Sequence, residues 1–287
     1  MGLSICLTLH DRKEFLPFCL RSIQHFSPPP YPYEIVIVGD SPNYDIPEIL
    51  SGFDLPILYV EYSRLHPSAN PFNGYCAFGL NLAVRYATYD AILKCNPEDV
   101  FVTNLFHAVP SLYHPNRIVF ATLIESSKEF RDLVFAGKVP AQDKEKAVRL
   151  GGKVRLPPHD KPRLDILLFS RSRFITVGGV DEDFMKTMGN AGEMEDFVER
   201  MMLSGAEGIW SNLIEAVHLY HQDLKSALHE FPKSYNLFSA KKRQRKKTGN
   251  WVANPNGWGN TDAVIKTIRL QGRAKDEDST TKGTPAD

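Results

Sequence analysis

The chain reads as an α/β protein with a mostly parallel central sheet flanked by helices. Two observations predict this. Short apolar runs suited to buried strands alternate with stretches whose apolar residues recur at helical spacing, and breaks containing Pro or Gly separate them. Strands that alternate with helices build parallel sheets covered on both faces.

In order along the chain, Ser4 to Leu9 is an apolar run for a first strand. Phe15, Phe18, Cys19, Ser22 and Ile23 share a helical face, and Pro28-Pro29-Pro30 stops that helix. Glu34 to Val38 (EIVIV) is a second buried strand running into a Gly39-Asp40-Ser41-Pro42 turn, and Ile57 to Tyr62 a third. Tyr75 to Tyr86 suits a helix, and Ala91 to Cys95 a fourth strand broken by Asn96-Pro97. Ile118 to Leu123 is another strand, followed by a polar stretch whose charges run from Lys128 to Lys161. Leu164 to Phe169 is again a strand. Gly178-Gly179 opens a loop before a helix from about Met194 to Leu203, which Gly205 can end. Val217 to Tyr220 is a last short strand. Beyond it stand the basic run Lys241 to Lys247 and then Trp251 and Trp258 among Asn and Gly. The organisation expected is a domain over 1–225, a basic and aromatic extension over 226–272, and a disordered polar tail over 273–287.

Composition narrows the function. With 34 Lys and Arg against 34 Asp and Glu, the formal net charge is zero, which argues against a surface built wholly for nucleic acid. No run reaches the roughly 20 apolar residues of a membrane-spanning helix. The N-terminal residues lack the basic region and cleavage site of a secretory signal. Cys6, Cys19, Cys76 and Cys95 have no ligand spacing and read as buried thiols, so a cytoplasmic protein is expected.

In open α/β sheets ligands sit at the carboxyl ends of strands, which brings His10-Asp11-Arg12, Asp40 and the segment Asn96 to Asp99 toward one crevice. The densest chemistry is Gly178-Gly179-Val180-Asp181-Glu182-Asp183-Phe184 followed by Gly192-Glu193-Met194-Glu195-Asp196-Phe197-Val198-Glu199-Arg200. On a helix, Glu193, Asp196 and Arg200 share a face, where a carboxylate can act as a general base. An acidic first turn is equally what the helix dipole favours.

These segments together, in this order, resemble family-2 glycosyltransferases over roughly residues 4 to 222. SICLTLHDR, residues 4–12, is similar to the family's opening strand and loop, and EIVIVGDS, residues 34–41, to its second strand, with Gly39 in the first acidic position and Asp40 kept. Gly79-Leu80-Asn81 resembles the helix start that lies under the nucleotide. The resemblance implies a GT-A fold and sugar transfer from a UDP-, GDP- or dTDP-sugar to an acceptor hydroxyl, with inversion. It places the nucleotide over Thr8, His10, Arg12, Asp40 and Asn81. Asn96-Pro97-Glu98-Asp99 stands where the family has a metal-binding Asp-x-Asp. Mg²⁺ or Mn²⁺ would then fall to Glu98 or Asp99 with His218 or His221, two histidines that a strand would put on opposite faces.

The register of the acidic helix has two solutions. Alignment on Arg200 puts Met194 where the base stands in the family, whereas alignment on Glu195-Asp196 makes Asp196 the base, with Glu195 and Glu193 behind it; the second is preferred. Lys241 to Lys247 reads as a flexible loop over the diphosphate, a patch for an anionic acceptor such as nucleic acid, or a solvated run. Trp251 and Trp258 can stack on a sugar or anchor the extension. Alternatives to an active sugar transferase are a catalytically weak nucleotide-sugar or glycan-binding protein and a nucleic-acid-modifying glycosyltransferase.

Overall fold

The computed structural model describes residues 1–10, 12–40, 45–63, 75–155, 164–186, 192–222 and 225–271. Asp11, the turn at 41–44 and the tail expected over 273–287 lie outside the described residues.

The elements follow as β1 (Leu3–Leu9), α1 (Leu16–His25), β2 (Tyr33–Asp40), α2 (Ile46–Ser51), β3 (Ile57–Tyr62), α3 (Tyr75–Tyr86), β4 (Ala91–Cys95) and β5 (Asp99–Phe101). Next come α4 (Leu105–Leu112), β6 (Arg117–Glu125), α5 (Lys128–Phe135), α6 (Lys144–Arg149), β7 (Lys153–Val154), β8 (Leu167–Ser170) and α7 (Arg171–Thr176). The last are α8 (Glu193–Leu203), β9 (Glu207–His218), α9 (Lys225–Thr248) and β10 (Val264–Leu270). Among the described residues one sheet contains every strand, in the order β10-β3-β2-β1-β4-β8-β6-β9-β5, with β7 paired to β6.

The sheet is parallel from β3 through β4. Beyond β4 it is mixed, because β8 runs antiparallel to both β4 and β6. The period of two along β1 sorts the core into two faces. Leu3, Ile5, Leu7 and Leu9 pack with Leu16, Cys19, Leu20 and Ile23 of α1 on one side. Cys6 joins Val36, Val38, Phe78 and Leu82 on the other. Cys6, Cys19 and Cys95 are buried free thiols, as their apolar surroundings suggest. The extension stays on the domain: β10 closes the sheet edge against β3, and Trp251 and Trp258 pack onto the second face. No helix among the described residues is long and apolar enough to cross a membrane.

Candidate active site

The carboxyl ends of β1 and β2 supply the first wall. Asp40 is fully buried, and its Oδ2 lies 2.6 Å from Nδ1 of the partly exposed His10. Gly39 has no room for an acidic side chain, because a Cβ there would lie 2.8 Å from the Tyr59 hydroxyl. Tyr59 thus explains why one acid of the expected pair is missing. Thr8, half-buried, touches α3 closely: a Cβ on Gly79 would come within 2.9 Å of its methyl group.

Asn81 departs from its expected place under the nucleotide. It is fully buried, and its amide accepts from Val180 N–H at 2.8 Å while donating to Val180 O at 2.9 Å and Glu182 at 2.7 Å. The side chain therefore clamps the Gly178-Gly179 loop to α3. Both glycines have positive φ, 77° and 70°, and Asn254 from the extension holds the same loop by donating to Gly178 O and Val180 O. Asn81→Ala is expected to lower unfolding stability by about 1–3 kcal/mol by stranding buried backbone groups. Nucleotide affinity of the folded protein should stay as it was. Urea unfolding and calorimetry on one sample check both.

The Asn96-Pro97-Glu98-Asp99 segment folds into a turn in which Asn96 N–H donates to Asp99 Oδ2 at 2.8 Å. Asp99 Oδ1 lies 2.7 Å from His218 Nδ1, directly across the β5–β9 pair. With one oxygen on Asn96 N–H and the other on His218, Asp99 stands behind His218 rather than in the converging Glu98, His218 and His221 group, unlike the ligand role expected of it. His218 and His221 were expected on opposite strand faces. The strand ends at His218, and the chain turns so that the two Nε2 atoms come within 3.2 Å. Glu98 Oε1 is 3.4 Å from His221 Nε2 and pairs also with Arg12. Ligand atoms of Glu98, His218 and His221 all lie within 4.8 Å of one another.

These residues fit a divalent cation. Two imidazole nitrogens this close cannot both carry a proton, and Glu98 Oε2 is buried without a hydrogen-bond partner among the described residues. Burial raises the Glu98 carboxyl above its ordinary range. Burial opposes the charge on His218, but the hydrogen bond and charge of Asp99 outweigh it and push the imidazole up to about 9. The carboxylate behind a ligating histidine is a usual supporting arrangement in metal sites.

The acidic helix α8 carries the remaining candidate carboxylates. Gly192 starts α8 with φ 91°, and Glu195 reaches back to accept its N–H at 3.1 Å, so Glu195 is a cap. Asp196 is fully buried between two guanidiniums: Arg200 Nε donates to Oδ2 at 2.7 Å and Arg245 to Oδ1 at 2.5 Å. A carboxylate so committed to two buried ion pairs is poorly placed for the role of base expected of Asp196. Glu193, one turn earlier, keeps Oε2 buried without a partner among the described residues. Burial is the main reason its carboxyl is raised to about 7; Glu195 adds to the shift and Lys94 opposes it.

Lys94 is a cation near the candidate site that sequence reasoning missed, and Arg245 was read only as part of the basic run. Lys94 lies nearly buried in β4 and donates to Asn96, Leu164 O and Asp165 O, and a cation inside the run AILKC was the available signal. The basic run is helical rather than a flexible loop. Lys241 pairs with Asp181 at 2.6 Å and Asp183 at 2.8 Å, Lys242 with Glu199, and Arg245 with Asp196 and Glu199. Half of it is thereby committed to acids of the domain, which weakens the nucleic-acid alternative. Trp258 is an anchor: it meets Phe174 edge-on at 5.4 Å, with the Arg85 guanidinium 4.9 Å from its ring.

A twisted α/β sheet with an acidic helix start, a Glu-His-His cluster and a buried Asp at the strand ends defines a glycosyltransferase of the GT-A fold. The model of the family "Glycosyl transferase family 2" matches residues 4–145, and this segment of the chain belongs to that family. No curated protein matches the chain.

Solved structures are similar in fold. TarS 1-349 of S. aureus in complex with UDP shares 11% identity at a TM-score of 0.51, covering 87% of this chain and 74% of that one. TarS 1-349 in a second structure shares 12% at 0.50, over 86% and 75%. The mannosyltransferase PcManGT from Pyrobaculum calidifontis, in complex with GDP-Man and Mn²⁺, shares 16% at 0.48, over 86% and 75%.

Proposed function

We propose that the chain transfers a sugar from a nucleoside-diphosphate donor to an acceptor hydroxyl by single displacement, with Glu193 as the base. The observation that carries this reading is the Glu193 carboxylate, buried at a helix start with one oxygen unpartnered and its proton affinity raised to about 7. A base whose pKa lies near the working pH combines the right protonation state with useful driving force. The acceptor oxygen attacks the anomeric carbon as its proton passes to Glu193. The bond from that carbon to the diphosphate oxygen breaks, and its electron pair leaves with the nucleoside diphosphate. Attack opposite the leaving group inverts the anomeric centre.

Across the crevice, His10, Arg12 and Thr8 receive the nucleotide, and buried Asp40 fixes the His10 imidazole. Glu98, His218 and His221 would hold Mn²⁺ or Mg²⁺, which supplies positive charge for the departing diphosphate when bound. Arg12, paired with Glu98, adds its own charge at that place. Residues 226–272 brace this domain rather than form a separate binding module.

The test is turnover of UDP-, GDP- and dTDP-sugars, with the anomeric configuration of the product read by NMR. UDP, held by TarS in its complex, is the first nucleotide to try. A retained configuration would overturn the single displacement. Asp40→Ala should weaken binding of the best nucleotide by about tenfold or more, since it unpairs His10 and removes a charge-assisted hydrogen bond worth roughly 1.5–3 kcal/mol. Unchanged calorimetric affinity would remove the His10–Asp40 pair from the site.

A further inference from the structure

The Asp196 carboxylate is gripped from two directions that differ in what they can accomplish. Arg200 lies on the same helix, four residues on, so its bond to Asp196 moves with α8. Arg245 comes from α9, 49 residues away, and ties the first turn of α8 to a separate element. Its second nitrogen donates to Glu199 at 3.2 Å, so one guanidinium spans two acids on α8.

We infer that Arg245 is a positioning residue for the transfer reaction, holding the first turn of α8 so that the Glu193 carboxylate faces the acceptor hydroxyl. The inference rests on the reading of Glu193 as the base.

Three features support it. Glu193 and Asp196 are neighbours on one helix face, and the backbone N–H of Asp196 closes the first turn onto Gly192 O at 2.8 Å. What holds Asp196 therefore holds the turn that carries Glu193. Second, α8 starts at a glycine with φ 91°, whose N–H is capped from within the helix, by Glu195. Contacts from outside the helix then fix its direction: Arg200 reaches Val177 O, Lys242 of α9 reaches Glu199 at the exposed side, and Arg245 is the α9 cation that reaches the first turn, at Asp196. Third, Asp196, Arg200 and Arg245 are all buried. Buried ion pairs are a weak means of adding stability, because desolvation offsets their attraction, yet a planar guanidinium that reaches two acids at once, as Arg245 does, holds direction. Lys241, one helical turn before Arg245, grips Asp181 and Asp183 ahead of α8. The same helix thus braces the acidic segment on both sides.

The test is a double-mutant cycle in kcat, read by single-turnover kinetics with a saturating nucleotide sugar. Arg245→Met and Arg245→Lys are each made in the full chain and again beside Glu193→Gln. Arg245→Met is expected to lower kcat by about 10- to 100-fold, the scale of a misplacement near 1 Å, with donor affinity within about twofold of wild type. Arg245→Lys, which keeps the charge but not the fork, should recover part of that loss. Beside Glu193→Gln, neither substitution should lower kcat further, because the group they act through is gone.

Equal fold-losses in both backgrounds would show Arg245 to be merely structural, as would an unchanged kcat in Arg245→Met. If the Met variant does not fold, by circular dichroism, the Lys variant carries the same cycle. A Glu193→Gln protein with normal kcat would sink the base reading itself. A slow Glu193→Gln protein beside a fully active Arg245→Met would sink only the inference about Arg245.

Discussion

Glu193→Gln is expected to lower kcat by about 10²- to 10⁴-fold, the usual loss on removing a positioned general base. Donor affinity should change little, because the residues proposed to receive the nucleotide lie on and after β1 and β2, away from α8 in the chain. The loss then appears in kcat rather than KM for the donor. The pH dependence supplies an independent check. A base must be ionised to accept a proton, and burial raises the Glu193 carboxyl to about 7. Activity should therefore fall as pH drops through about 7, well above the range where an ordinary glutamate titrates, and Glu193→Gln should abolish that limb.

Two neighbouring acids are the controls. Glu195→Gln should retain near-normal kcat, since an amide oxygen caps Gly192 as a carboxylate does. Asp196→Asn should cost stability, because it leaves the buried guanidiniums of Arg200 and Arg245 short of charge, by about 3–5 kcal/mol, and should lower kcat no further than Arg245→Met does, since it loosens the same grip. A low kcat in Glu195→Gln beside a normal Glu193→Gln would overturn the assignment.

The contrast between these acids shows where sequence reasoning stopped. In the N-terminal half three elements were legible to the residue, β3, α3 and β4 at 57–62, 75–86 and 91–95, whereas the short α2, β5 and α4 were not foreseen. Those elements are bounded by turn residues and buried on both sides, so local pattern and tertiary environment agree. The stretch from Lys128 to Lys161 hid α5 and α6 because their outward faces are charged, although Ser127 and Asp143 cap them and were readable as caps. β9 was expected only over its last residues. It starts at Glu207, and a register shift opposite Ala121 and Thr122 breaks its alternation. α9 carries Pro232 and lacks a strong apolar stripe; its cations find partners far away in the sequence. The same distance hid the difference between the two candidate acids. Asp196 and Glu193 look equivalent on a helix until Arg245 arrives from the extension and takes one of them.

Chelation is expected to cost activity on a similar scale. The metal reading depends on Glu98, His218 and His221, whose ligand atoms converge within 4.8 Å, and on Asp99, which holds the His218 ring. A bound cation is worth several kcal/mol of charge stabilisation at a departing diphosphate, so EDTA should lower turnover by at least about 10²-fold, and Mn²⁺ or Mg²⁺ should restore it. The substitutions separate ligand from support. Glu98→Ala and His218→Ala each remove a donor atom and should abolish measurable Mn²⁺ binding by calorimetry. Asp99→Asn keeps all the donors but loosens the His218 ring, and should weaken affinity by about 10- to 100-fold, the scale of an outer-layer loss. Arg12 complicates the ligand set in an informative way, because it already pairs with Glu98. If the ion binds, Glu98 must be shared, and Arg12→Ala should tighten Mn²⁺ binding while raising KM for the donor. If turnover is undiminished in EDTA, and Arg12→Ala loses it instead, the cation at the diphosphate is the guanidinium. The Glu-His-His cluster is then a hydrogen-bonded wall of the site.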